Sequence, residues 1–156
     1  MKLGYYIGKE DLNVEFKEFC IQNDVRSFYH TDEISSILEE GVLDERFNHL
    51  VKESLYIYIE NFVPKYVSSY INAGINGKLY FGISDHGEIT GIPYLGILSK
   101  KKIVEKIDEI LHTHLYGQPK FTYSLNIEKL ESDIDMVQHS NSELSHLMKQ
   151  YHTQHQ

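Results

Sequence analysis

From Phe47 onward, apolar residues recur at 47, 51, 55, 59, 62, 66 and 70, close to helical spacing over more than twenty positions. A stripe of that length commits the middle of the chain to helix, and strands must be found on either side of it. Pro64 interrupts the stripe. Proline has no backbone donor but suits the first turn of a helix, so the sequence predicts one helix over 45–61 and a second over 64–73. The second should stop in Asn72-Ala73-Gly74-Ile75-Asn76-Gly77, where two glycines and two asparagines favour a loop.

Before this region, residues 13–19 (Asn-Val-Glu-Phe-Lys-Glu-Phe) alternate apolar and charged in the period of a half-buried strand. Residues 32–41 suit a short helix, with Ile34, Ile37 and Leu38 on one side and Gly41 as its stop. After it, 78–84 reads as a buried strand, Asp85-His86-Gly87 as a tight turn and 88–92 as its hairpin partner. Residues 97–115 form the clearest amphipathic helix, on Ile103, Ile107, Ile110 and Leu111, and 121–130 alternates again as a strand. The fold class is therefore α+β: a small mixed β-sheet flanked by helices, in a single lobe over 1–130. Residues 131–156 lose apolar content and are expected to be a polar, weakly packed tail.

With 156 residues, of which 41% are hydrophobic, the chain can bury the core of one domain. Its single cysteine, Cys20, cannot form an internal bridge, which suits a reducing, cytoplasmic setting. No run of about 18 apolar residues exists, and no apolar leader follows Met1, so a soluble protein without membrane contact is expected. The formal charge of −8 argues against binding by bulk phosphate neutralisation; a nucleic-acid function would need a local basic patch or a bridging cation. Lys100, Lys101 and Lys102 supply such a patch, whereas 24–60 is strongly acidic. A phosphate-binding P-loop is excluded, because no Gly-Lys-Ser/Thr follows Gly74 or Gly77.

Three carboxylates stand where folding does not require them: Glu10 before the first strand, Glu15 within it and Asp85 after the second. Read from composition, they are surface acids, with Asp85 a turn former. Gathered in space, they could hold a hard divalent cation. A straight strand would hold Glu10 and Glu15 roughly 16 Å apart on opposite faces, so a shared cation requires a bend in Asp11-Leu12-Asn13.

Taken in order, Glu10-Asp11-Leu12-Asn13-Val14-Glu15-Phe16-Lys17, then Pro64–Asn72, then Gly77–Asp85 and a return through Gly91 resemble the Schlafen core, or AlbA-like (divergent AAA) domain. The family shows an E-x4-E-F-K strand, a helix ending in A-F-A-N-T, a glycine pair and a strand ending G-V-x-D. Here Asn72–Gly77 replaces N-T-x-G-G with a loop one residue longer and without the glycine pair. The likeness covers about residues 6–130.

The resemblance implies a divalent-metal-dependent endoribonuclease acting on structured RNA, tRNA or rRNA. Glu10, Glu15 and Asp85 would be its catalytic and Mg²⁺ or Mn²⁺ ligands, and Lys100, Lys101 and Lys102 would steer the backbone. Lys17 would assist at the phosphate; its other reading is a surface lysine paired with Glu15, two residues away on the same strand face. The alternative is a non-catalytic module that binds nucleic acid or protein, such as a truncated or viral regulator. Active ribonucleases of the family pair two lobes, so a homodimer or partner lobe would complete the groove. Schlafen proteins also place an H-x-C half of a zinc site where this chain has His112-Thr113-His114. The family's cysteines are missing, and only His139, His146, His152 or His155 could replace them, so a solvated helix end is expected and zinc is the alternative.

Overall fold

A computed structural model describes residues 2–22, 31–41, 44–93, 98–115, 117 and 120–130. The expected tail, 131–156, lies outside the described residues, as do Tyr94–Ile97.

The central helix forms as its apolar stripe requires. Strand β1 (Val14–Lys17) and helix α1 (Thr31–Glu40) precede helix α2, which runs unbroken over Glu45–Ala73. Asp44 caps its start, its carboxylate accepting from the backbone N–H groups of Arg46 and Phe47 at 3.0 and 3.3 Å. Gly74 ends it with φ +67, a left-handed geometry that glycine adopts without strain, and its N–H turns back to the last carbonyls. The break expected at Pro64 is absent: the proline sits inside α2. An interior proline costs about 3 kcal/mol, through a missing N–H and a clash with the carbonyl four residues back. Burial on the N-terminal side offsets it, because Leu55, Tyr58, Ile59 and Val63 are all in the core.

Strand β2 (Lys78–Phe81) pairs parallel with β1 in the register Val14↔Lys78, Glu15↔Leu79, Phe16↔Tyr80 and Lys17↔Phe81. Helix α3 (Lys100–His114), capped by Ser99, then packs against α2 through Ile103, Ile107, Ile110 and Leu111. The α+β class stands, as three helices and a small two-stranded sheet among the described residues.

Two expected strands shrink. Residues 88–92 contribute isolated antiparallel bridges, Ile83↔Ile89 and Tyr6↔Glu88, rather than a ladder. The N-terminal segment competes for the same backbone: Gly4 donates to the Ile89 carbonyl, and Ile89 donates to that of Tyr5. Residues 121–130 alternate but form no strand. Phe121 and Leu125 are instead drawn onto the main core and Leu130 onto a smaller one. Alternation also serves an extended segment that anchors side chains without sharing a ladder.

The core has two parts. The larger gathers Phe19, α1, α2 and α3; the smaller joins Phe16, Ile83 and Ile89 beneath the strands. Among the described residues, no helix is long and apolar enough to cross a membrane.

Candidate functional site

The bend that a shared site demands is present. Asp11 and Val14 exchange backbone hydrogen bonds at 3.1 and 3.3 Å, and Asp11 Oδ1 accepts the Asn13 N–H at 2.7 Å. Short polar side chains close such turns by substituting for backbone acceptors. The turn carries Glu10 back along β1, where its Oε1 accepts the Phe16 N–H at 2.8 Å. Glu10 thereby satisfies a donor on the side of β1 that does not face β2.

Glu15 occupies the opposite environment. Its Oε1 accepts from the Tyr66 hydroxyl at 3.0 Å and lies 3.3 Å from Lys17 Nζ. The side chains of Lys17 and Glu15 are 25% and 23% exposed, so the pair is partly desolvated yet open at one side. Residues two apart on a strand share a face, which is why β1 juxtaposes them. Lys17 Nζ also stands 4.8 Å from the Phe62 ring centre and 5.4 Å from that of Tyr66, within cation–π range. Burial alone would lower the Lys17 pKa, but hydrogen bonding and charge from Tyr66 and Glu15 outweigh it and hold the ammonium above the ordinary lysine value.

Tyr66 and Tyr70 come from the exposed end of α2, one helical turn apart with ring centres 6.4 Å apart. Tyr70 donates to the Lys78 carbonyl at 3.1 Å, tying α2 to the start of β2. Its phenol is pushed up, first by burial and then by the negative potential of Glu15, Tyr66, Asp11 and Glu10. One corner of the fold therefore collects three acids, two tyrosines and two lysines, the second being Lys65, whose Nζ also stands 5.4 Å from the Tyr66 ring centre. Sequence reasoning names Asp11 for the bend but not as an acid of this corner, and it misses Tyr66 and Tyr70. Asp11 was legible as the turn former that the bend required, but the tyrosines look like ordinary members of an apolar stripe.

Asp85 is exposed in the turn that follows β2. Ser84 Oγ accepts from the backbone N–H groups of His86 and Glu88 at 3.3 and 3.1 Å, which fixes that turn. Gly87 adopts φ +85 where the Gly8 carbonyl passes so closely that any Cβ would collide with it. The N-terminal segment thus touches this turn two residues from Asp85 and two from Glu10.

Among the described residues, no group of three or more His, Cys, Asp or Glu side chains is gathered to hold a metal ion. As placed, the donor set does not fit a divalent cation: Glu10 is engaged by a backbone N–H and Glu15 by an ammonium and a phenol. His112 and His114 are exposed at the end of α3, and His114 Nδ1 lies 2.9 Å from the Ile110 carbonyl oxygen. The other candidate zinc histidines lie outside the described residues. Lys100, Lys101 and Lys102 are all exposed in the first turn of α3.

No curated protein and no solved structure gives a significant match to the chain. The family model described as Schlafen, AlbA_2 matches residues 10–154, beginning at the first of the three acids and covering most of the length. The chain belongs to the Schlafen AlbA_2 family, and that membership supports a nucleic-acid-related role.

Proposed function

We propose that this domain binds structured RNA of the tRNA or rRNA kind without itself requiring a metal. Family membership supports the nucleic-acid role. The local observation that carries the reading is the run of exposed lysines, 100–102, at the N-terminal turn of α3. Helix N-termini carry a partial positive charge, and three ammonium groups there concentrate the attraction for phosphate in an otherwise acidic protein. The test is a gel-shift titration of the full chain with tRNA in EDTA at low and moderate salt. Retention that weakens with salt, without fragments, supports binding; no retention even at low salt removes the proposal.

A second reading, metal-dependent endoribonuclease, is favoured by the Asp11–Asn13 bend, which returns Glu10 toward Phe16, the neighbour of Glu15. It requires Glu10, Glu15 and Asp85 to regroup around Mg²⁺ or Mn²⁺. Incubating tRNA with the protein and Mn²⁺ distinguishes the two: fragments that EDTA prevents and Glu15→Ala abolishes would establish cleavage.

A further inference from the structure

Glu15 has its positive charge supplied from within the chain. Lys17 Nζ sits 3.3 Å from Oε1, between the Phe62 and Tyr66 rings, while the Tyr66 hydroxyl donates to that same oxygen. Ion pair, ring faces and phenol thus act on one ammonium–carboxylate unit. Any cation approaching Glu15 meets a positive charge already in contact with it, and at such short range this repulsion persists in ordinary salt.

We propose that Lys17 is the resident counter-ion of Glu15, and that a divalent cation reaches this carboxylate only by displacing it. Lys17 then sets the threshold for cation occupancy at β1. The two rings add to that threshold, because displacement strips the ammonium of both faces. The other charges facing this corner are Glu10 and Asp11, beside Tyr70, which would attract a cation, and Lys65, whose Nζ stands 5.4 Å from the Tyr66 ring centre and would repel one. Lys17 is the ammonium in contact with the carboxylate itself, so its removal should be felt most. The inference goes beyond RNA binding and does not depend on it.

The test measures Mn²⁺ binding to the full chain by loss of the free-ion EPR signal, with no RNA present. Lys17→Met keeps the apolar stem between the rings and removes the charge. It should bind Mn²⁺ at least about tenfold more tightly than the unmodified chain. The gain should vanish in Lys17→Met/Glu15→Gln, while Lys17→Arg should behave like the unmodified protein. If Lys17→Met fails to fold, as judged by circular dichroism, Lys17→Gln carries the same expectation. Unchanged or weaker Mn²⁺ binding in the folded charge-free variant overturns the proposal, as does a gain that survives loss of the Glu15 charge.

Discussion

Glu10 and Phe16 are six positions apart, yet the carboxylate of one accepts the backbone N–H of the other at 2.8 Å. The Asp11–Val14 turn makes this possible, and it places an acid from outside the strand against the strand's own backbone. Phe16 is 1% exposed and anchors the smaller core, so its N–H sits where water is a poor substitute. Glu10→Ala should therefore destabilise the domain by about 1–2 kcal/mol, read from urea unfolding, whereas Glu10→Gln keeps an acceptor and should lose less. Equal stability of Glu10→Ala and the unmodified chain would show that the bond is incidental.

The junction between α2 and β2 depends on a glycine for a steric reason. A Cβ on Gly77 would overlap the Tyr70 ring, whose hydroxyl is bonded to the Lys78 carbonyl. Gly77→Ala should cost about 1–3 kcal/mol as the ring is forced away. Shortening the obstacle should recover part of that loss, so Gly77→Ala/Tyr70→Ala is expected to be less destabilised than the two single effects summed. A double-mutant cycle with strict additivity contradicts this packing.

Lys17 gives the domain an alkaline signature. Its folded pKa is raised, so the pairing contribution is fully present below the unfolded lysine value of 10.5 and is lost as pH rises through the folded value. Tyr56, Tyr58 and Tyr70 are raised too, mainly by burial, and also weaken the fold above the ordinary tyrosine range. The difference between the unmodified chain and Lys17→Met isolates the lysine. Any stability advantage of the unmodified chain should be flat from pH 7 to about 9.5 and shrink beyond it. An advantage that instead grew with pH would show that Lys17 is not held as an ammonium.

Much of this architecture was legible where one local signal met no competitor. Ile34, Ile37 and Leu38 announced α1, and Val14 and Phe16 announced β1. The sequence failed at Pro64, where propensity within one turn was outweighed by burial spread over several. It failed again at 121–130, because alternation reports which side chains are buried and says nothing about which backbone partners are free. At the candidate site, Glu10, Glu15 and Lys17 were visible as chemistry and the bend at 11–13 as a geometric need. The pairing of Glu15 with Lys17 was one of the readings open for that lysine, but Tyr66 and Phe62 come from a helix some fifty residues away. Contacts of that separation follow from how α2 lies over β1, which no pattern within either element encodes.

The basic turn of α3 supplies the last expectation. If Lys100, Lys101 and Lys102 contact phosphates, replacing all three with alanine should weaken tRNA retention at least about tenfold at low salt. The slope of log affinity against log salt should also fall by about two to three, because each phosphate contact releases a condensed counter-ion. The fold should be undisturbed: the residues are exposed, and Ser99 Oγ accepts from the backbone N–H of Lys102, which alanine retains. Glutamate in the same positions should weaken binding further, since it reverses the charge at the positive end of the helix. Equal retention and an unchanged salt slope in the triple alanine variant would move the RNA contact away from α3. The corner at Tyr70 is a poor replacement without a cation, because Glu10 and Asp11 would repel the backbone while Lys17 is already paired with Glu15. Repeating the salt titration with Mn²⁺ present then shows whether a cation bridges that corner: binding strengthened by Mn²⁺ favours contact there, and binding indifferent to it does not.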